Sequence, residues 1–184
     1  MYGVVSLLEG RYLSLFREMW RTLQADCGFN GDFLAPIPHI SWHVAGSYNL
    51  HVLKTILVDI TVRATPLTIR TEGLGIFTGN VPIIYINVVK DAALQEFQFK
   101  LWQSAQSAAH EASILYTPEN WIPHITLARG DINSCNLGCL MDKLAFKDLS
   151  WELEMDHIAV IGQDDEQIDQ DLIFRYSTSG RQFE

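Results

Sequence analysis

Four stretches of the chain repeat apolar residues at helical spacing, and they fall into two matched pairs. Tyr12, Phe16, Trp20 and Leu23 stripe one face of a helix predicted from about Arg11 to Ala25. The equivalent stripe in the second half of the chain is Phe97, Leu101, Ala105 and Ala108, in a helix that Asp91 is placed to cap. Leu53, Ile56, Leu57 and Ile60 give an i, i+3, i+4, i+7 pattern, which Leu137, Leu140, Met141 and Leu144 reproduce. Strand patterns match as well. Leu67, Ile69 and Thr71 alternate with polar neighbours, as do Trp151, Leu153 and Met155 at the corresponding place in the second half. In the stretch 83–88, Ile84, Ile86 and Val88 should face the helices, which turns Tyr85 and Asn87 to the opposite side.

The order strand–helix–strand–helix–strand therefore occurs twice, over about residues 2–77 and 82–161. Leu172, Phe174 and Tyr176 predict one further strand at about 168–177. The expected fold class is α+β, with two pseudo-symmetric lobes, antiparallel sheets flanked by helices, and a central cleft. At 184 residues, 48% of them hydrophobic, the chain can bury one substantial core as a single domain over 1–184.

The middle strand of each copy carries the same phrase. Pro38-His39-Ile40-Ser41 returns in the second copy as Pro123-His124-Ile125-Thr126. Alternation puts His39 with Ser41, and His124 with Thr126, on one face, and turns Ile40, Trp42, Ile125 and Leu127 to the core. A pseudo-two-fold axis then opposes His39 and His124 across the cleft. Two opposed imidazoles can act as general acid and general base across a phosphate without a metal. The hydroxyls of Ser41 and Thr126 can donate to its non-bridging oxygens.

Other candidates are read beside plainer roles. Tyr85 faces the cleft, either to stack on a base or as a half-buried sheet tyrosine. Phe77, just before the Gly79-Asn80 turn, either walls the cleft or packs in the core. Arg129 either clamps phosphate or makes a surface ion pair. His43 shares the alternation of His39 but lies about 13 Å along the strand, at the cleft rim or in a structural hydrogen bond. His51, His110 and His157 are expected to be structural or exposed. Tyr116 and Trp121 lie in the loop before the second motif, lining the mouth or anchoring the loop.

A net charge of −9 without a basic stripe excludes a grip on long RNA or DNA through many phosphates. The expected partner is a nucleotide or a short RNA terminus, and the chain is expected to be a monomer. No apolar run is long enough for a bilayer and the start lacks a basic leader, so no membrane contact and a cytoplasmic location are expected. Cys27, Cys135 and Cys139 form no framework, which suits a reducing compartment. Cys135 and Cys139, spaced i, i+4 on a predicted helix, are read as small packed residues before a half metal site. His39, His43 and His124 are too spread for one zinc ion, so neither metal nor cofactor is expected. Asp164, Asp165, Glu166, Asp169 and Asp171 lack the spacing of a calcium loop and predict a solvated hairpin tip.

On His39, Ser41, His124 and Thr126 the chain resembles the 2H phosphoesterase superfamily, most closely its bacterial 2′-5′ RNA ligase and 2′,3′-cyclic phosphodiesterase branch. The likeness spans nearly the full length. The run His124-Ile125-Thr126-Leu127-Ala128-Arg129 is similar to that family's longer second motif, with its trailing arginine. Ser41 stands where threonine is commoner and keeps the hydroxyl. The resemblance implies the duplicated fold and hydrolysis of 2′,3′-cyclic phosphates, or joining and splitting of 2′,5′ bonds. It implies His39 as the acid for a leaving 3′ oxygen and His124 as the base, whereas the residue pattern alone is symmetric in the two roles. The alternative is a module on the same fold that binds a nucleotide or an RNA end without turnover.

Overall fold

In the computed structural model, which describes residues 1–30, 38–162 and 169–177, the two predicted copies of the element order follow one another. The first comprises β1 (Tyr2–Leu7), α1 (Gly10–Cys27), β2 (His39–Tyr48), α2 (Leu50–Arg63) and β3 (Leu67–Phe77). The second comprises β4 (Ile83–Val88), α3 (Ala92–Ala105), the short β5 (Ala109–Ala112), β6 (His124–Arg129), α4 (Leu137–Ala145) and β7 (Glu152–Met155). Then come β8 (His157–Gly162) and β9 (Ile173–Arg175). The strand expected over 168–177 shrinks to β9, because Gln170–Leu172 forms a helical turn instead. Asp164, Asp165 and Glu166 of the predicted hairpin tip lie outside the described residues.

Local chemistry accounts for the helices. Asn49 and Asp91 cap α2 and α3, their side chains accepting from the Val52 and Leu94 amides. The apolar stripes lie against the sheet: Phe16 and Leu23, Leu53 and Leu57, Leu101 and Ala105, and Leu140 and Leu144 are all buried. No described helix is long and apolar enough to cross a membrane.

The strands form one continuous nine-stranded sheet, in the order β7-β3-β4-β6-β2-β1-β8-β9 with β5 beside β2. The halves interlock in this sheet. β3 leaves the first half to pair with β4, while β8, which follows the second half, pairs with β1. The centre is the contact of β2 with β6, the two motif strands.

One expectation about the cysteines is overturned. Cys27, at the end of α1, is disulfide-bonded to Cys139 on α4, across a sequence separation of 112 residues. The two helices lie side by side there, with Lys143 Nζ 2.6 Å from Asp26 Oδ2. The bond ties the two halves together and removes the cysteine argument for a reducing compartment. Cys135 is exposed and precedes α4, so the expected i, i+4 helical pair does not form.

Candidate active site

β2 and β6 meet through the pair Ile40 and Ile125, the middle residues of the two motifs. An antiparallel register through this pair sets His39 beside Thr126 and Ser41 beside His124. The two histidines then sit on a diagonal, a separation of about 7–8 Å that long side chains bridge. Burial follows the same division. Ile40, Trp42, Ile125 and Leu127 are buried, whereas His39, Ser41, His124 and Thr126 are half-buried on the cleft face.

Three bulges decide which other side chains reach that face. The register of β1 on β2 jumps from Val4–His43 to Val5–Ser41, leaving Trp42 as the extra residue. On β6, the register with β4 jumps from Ile84–Ala128 to Tyr85–Thr126, leaving Leu127 as the extra residue. Trp42 and Leu127 each directly follow the hydroxyl residue of their motif, so these two bulges occupy equivalent places in the two halves. On β3, Glu72 and Gly73 together span the place opposite Asn87, and Gly73 takes φ +69°, which glycine adopts without a Cβ clash.

Each bulge reverses the alternation beyond it. His43 is therefore turned off the cleft face, contrary to its parity in the sequence. It is fully buried, with Nδ1 2.5 Å from the Tyr48 hydroxyl and Nε2 3.4 Å from Gln106 Nε2. Burial pushes its pKa down to about 4. The structural reading of His43 holds and the cleft-rim reading falls, along with any shared zinc site for His39, His43 and His124. In the opposite sense, the bulge at Leu127 places Arg129 opposite Ile83, on the face that carries Tyr85. The bulge at Gly73 likewise brings Phe77 to the cleft, opposite Ile83 from the other side.

A bulge releases a backbone carbonyl that burial leaves needing a partner. Here the helices supply it. The buried Gln98 of α3 donates from Nε2 to the Trp42 carbonyl at 3.3 Å, and Trp20 of α1 donates from Nε1 to the Leu127 carbonyl at 2.8 Å. Each half thus supports the bulge of the other half's motif strand.

His124 is the best-defined member of the site. Its Nδ1 lies 2.7 Å from the Ile122 carbonyl, which can only accept, so Nδ1 carries a proton and Nε2 of the neutral ring holds a lone pair. Burial lowers its pKa, and the Ile122 bond opposes that shift. The ring packs at 4.9 Å against Phe77, edge to face, and at 5.2 Å against Tyr85. Phe77 and Tyr85 stack on each other at 4.2 Å, so both form the wall that holds the imidazole. Ser41 and Arg129 near Tyr116 both favour its ionised form, but burial dominates and raises its phenol pKa. Trp121 is buried and donates from Nε1 to the Ser41 carbonyl at 2.9 Å. The loop before β6 borders a pocket of about 680 Å³, lined by Glu72, Asn87, Lys90, Glu119, Asn120 and Ile122 and by none of His39, Ser41, His124 and Thr126.

The remaining histidines lie outside this group. His51 and His110 are exposed, and His157 is buried against Leu7 at the C-terminal end of β1, on the side away from β2. Glu9, Asp156 and His157 place ligand atoms within 4.8 Å of one another. Arg175 occupies both carboxylates, at 2.9 Å and 3.5 Å. His157 uses one nitrogen on Asp156 and accepts the Leu7 amide with the other. That cluster is an ion-pair network that fastens β8 and β9 to β1. Sequence reasoning missed Gln98, Lys90 and the bulges, of which only Gly73 inside a strand pattern left a signal.

No curated protein sequence matches the chain. The fold is similar to the crystal structure of TT0787 of Thermus thermophilus, with a TM-score of 0.55 over 88% of this chain and 87% of that one. At 14% identity this likeness concerns the fold alone. A profile of the 2′-5′ RNA ligase superfamily matches residues 14–167, which take in both motif strands together with Trp20 and Gln98 that brace them. The chain belongs to that superfamily of 2H phosphoesterases, and its activity is of the phosphoesterase type.

Proposed function

We propose that the protein opens 2′,3′-cyclic phosphates, or cleaves and joins 2′,5′-linked nucleotides, by metal-independent acid–base catalysis with His39 and His124. The observation that carries this reading is the Ile40–Ile125 pair, which offers a phosphate one imidazole and one hydroxyl from each half. His124 serves as the base. Its Nδ1–H is fixed on Ile122, and burial favours the neutral ring, so Nε2 can accept a proton from an attacking water. His39, protonated, donates to the 3′ oxygen as its bond to phosphorus breaks. The water oxygen forms the new bond, and the product carries a 2′-phosphate and a free 3′-hydroxyl. Ser41 and Thr126 donate to the non-bridging oxygens, whose charge is held most strongly in the transition state.

Arg129, brought to the cleft side by its bulge, offers a planar pair of donors to the same phosphate. Phe77 and Tyr85 present an aromatic wall against which a base can pack. The net charge of −9 favours a mononucleotide or a short RNA terminus over long nucleic acid. The test is a screen of the four 2′,3′-cyclic mononucleotides with and without chelator, the product assigned by phosphorus NMR. Turnover in chelator to the 2′-phosphate supports the proposal; tight binding without turnover would make the protein a binding module instead.

A further inference from the structure

Lys90 sits between β4 and the Asp91 cap of α3, half-buried, with its ammonium turned onto the loop that leads into β6. Nζ donates to the Trp121 carbonyl at 2.7 Å and to that of Pro118 at 3.4 Å, and lies 5.6 Å from the Trp121 ring. Trp121 is only 2% exposed, and its indole N–H ends on the Ser41 carbonyl. The next carbonyl along the chain, that of Ile122, accepts from His124 Nδ1. The one after it, Pro123, accepts from the Val88 amide at 3.2 Å.

We infer that Lys90 is a positioning residue for both motifs, setting the tautomer of His124 through the successive Trp121 and Ile122 carbonyls and the place of Ser41 through the Trp121 indole. The inference rests on the reading of His39 and His124 as the catalytic pair. Residues 117–123 are outside the sheet ladders: backbone amides hold the Thr117 and Pro123 carbonyls, and side chains hold those of Pro118, Trp121 and Ile122. A charge-assisted bond is about twice as strong as a neutral one. The Trp121 and Ile122 carbonyls lie in successive rigid peptide planes joined at the Ile122 Cα. Pro123 restricts Ile122 to extended backbone, so fixing the first plane on Lys90 narrows the orientations open to the second. Loss of the lysine frees the Ile122 carbonyl, and the imidazole then loses the partner that keeps its proton on Nδ1. Two of the three ammonium protons are already committed to the protein, which distinguishes Lys90 from a lysine that grips substrate phosphate.

The experiment compares wild type, Lys90→Met and Lys90→Arg by long-range proton–nitrogen NMR of His124 and by steady-state kinetics on an accepted 2′,3′-cyclic nucleotide. Wild type should show the Nδ1–H tautomer alone, and Lys90→Met a mixture. In Lys90→Met kcat should fall about tenfold or more while KM stays within about twofold. Lys90→Arg, which can reach the same carbonyls, should recover most of kcat. A pure Nδ1–H tautomer with unchanged kcat in Lys90→Met would overturn the inference. So would a raised KM with unchanged kcat, the mark of a substrate-binding charge. Should Lys90→Met fail to fold, Lys90→Gln, which keeps a shorter donor, carries the same readouts. The NMR readout decides the role of Lys90 even if no cyclic phosphate is turned over, an outcome that would sink the proposed function separately.

Discussion

Ile40 and Ile125 pair directly across β2 and β6, and each lies between the histidine and the hydroxyl residue of its own motif. A pseudo-two-fold axis through such a pair sets each histidine beside the hydroxyl of the other motif. The cleft therefore offers alternating imidazole and hydroxyl groups around one point. In-line displacement at phosphorus needs such an arrangement, with proton transfer on opposite sides and charge held between them.

The pH profile should follow from the environment of His124. Burial, opposed by the Ile122 carbonyl, holds its pKa below the usual histidine value. A base works in its neutral form, so activity falls as pH drops through that lowered pKa, placing the acid limb below about pH 6.5. The acid must be protonated, so activity also falls at high pH, and both apparent values belong to the coupled pair. Measured kcat/KM should be bell-shaped and unaffected by chelator, and Ser41→Ala should lower its maximum without moving its limbs. An acid limb well above pH 6.5, or loss in chelator reversed by zinc, would contradict this assignment.

Tyr85 lies so close over Gly75 that a Cβ there would collide with its ring. Gly75→Ala should displace the ring from its stack on Phe77 and disturb His124. The expected result is a fall in kcat of about tenfold in a folded protein. An unchanged kcat would show that the aromatic wall does not hold the imidazole.

His43 should govern part of the acid sensitivity of the fold. Its folded pKa is held at about 4, below the 6.5 of an unperturbed histidine. A depressed folded value means its contribution is complete above about pH 6.5 and is lost as pH falls toward 4, a change of about 3 kcal/mol. Urea unfolding between pH 4.5 and 7.5 should show this slope, and His43→Gln should flatten it. An identical slope in the variant would assign the effect elsewhere.

Legibility of the sequence ends where the strands bulge. Around each motif, strict alternation correctly separates His39, Ser41, His124 and Thr126 from Ile40 and Ile125. Past Trp42 and Leu127 it fails, setting His43 on the face of His39 and giving no reason for Arg129 to reach the cleft, because one extra residue shifts the register and leaves no mark in composition. Only the motif resemblance points to Arg129. The Cys27–Cys139 bond is illegible for a different reason, since nothing local tells α1 that it will lie beside α4. The helices are the easiest part, because their apolar spacing is itself the surface that packs.

The disulfide has its own test. Denatured, unreduced protein should present a single reactive thiol, Cys135, and reduction should raise the count to three. Because the bond closes a long loop in the unfolded chain, Cys27→Ser should lose about 2–5 kcal/mol of stability. Three reactive thiols before reduction would refute the bond.

The central claim is tested most directly by the turnover number of wild type, His39→Ala, His124→Ala and the double variant on the best 2′,3′-cyclic nucleotide, measured in chelator. Each single variant should lose roughly 10²–10⁴ in kcat with the fold intact, and the double variant should lose far less than the product of the two, because the imidazoles act as a unit. Near-wild-type turnover in either single variant, on any substrate the protein accepts, would contradict the paired-imidazole mechanism.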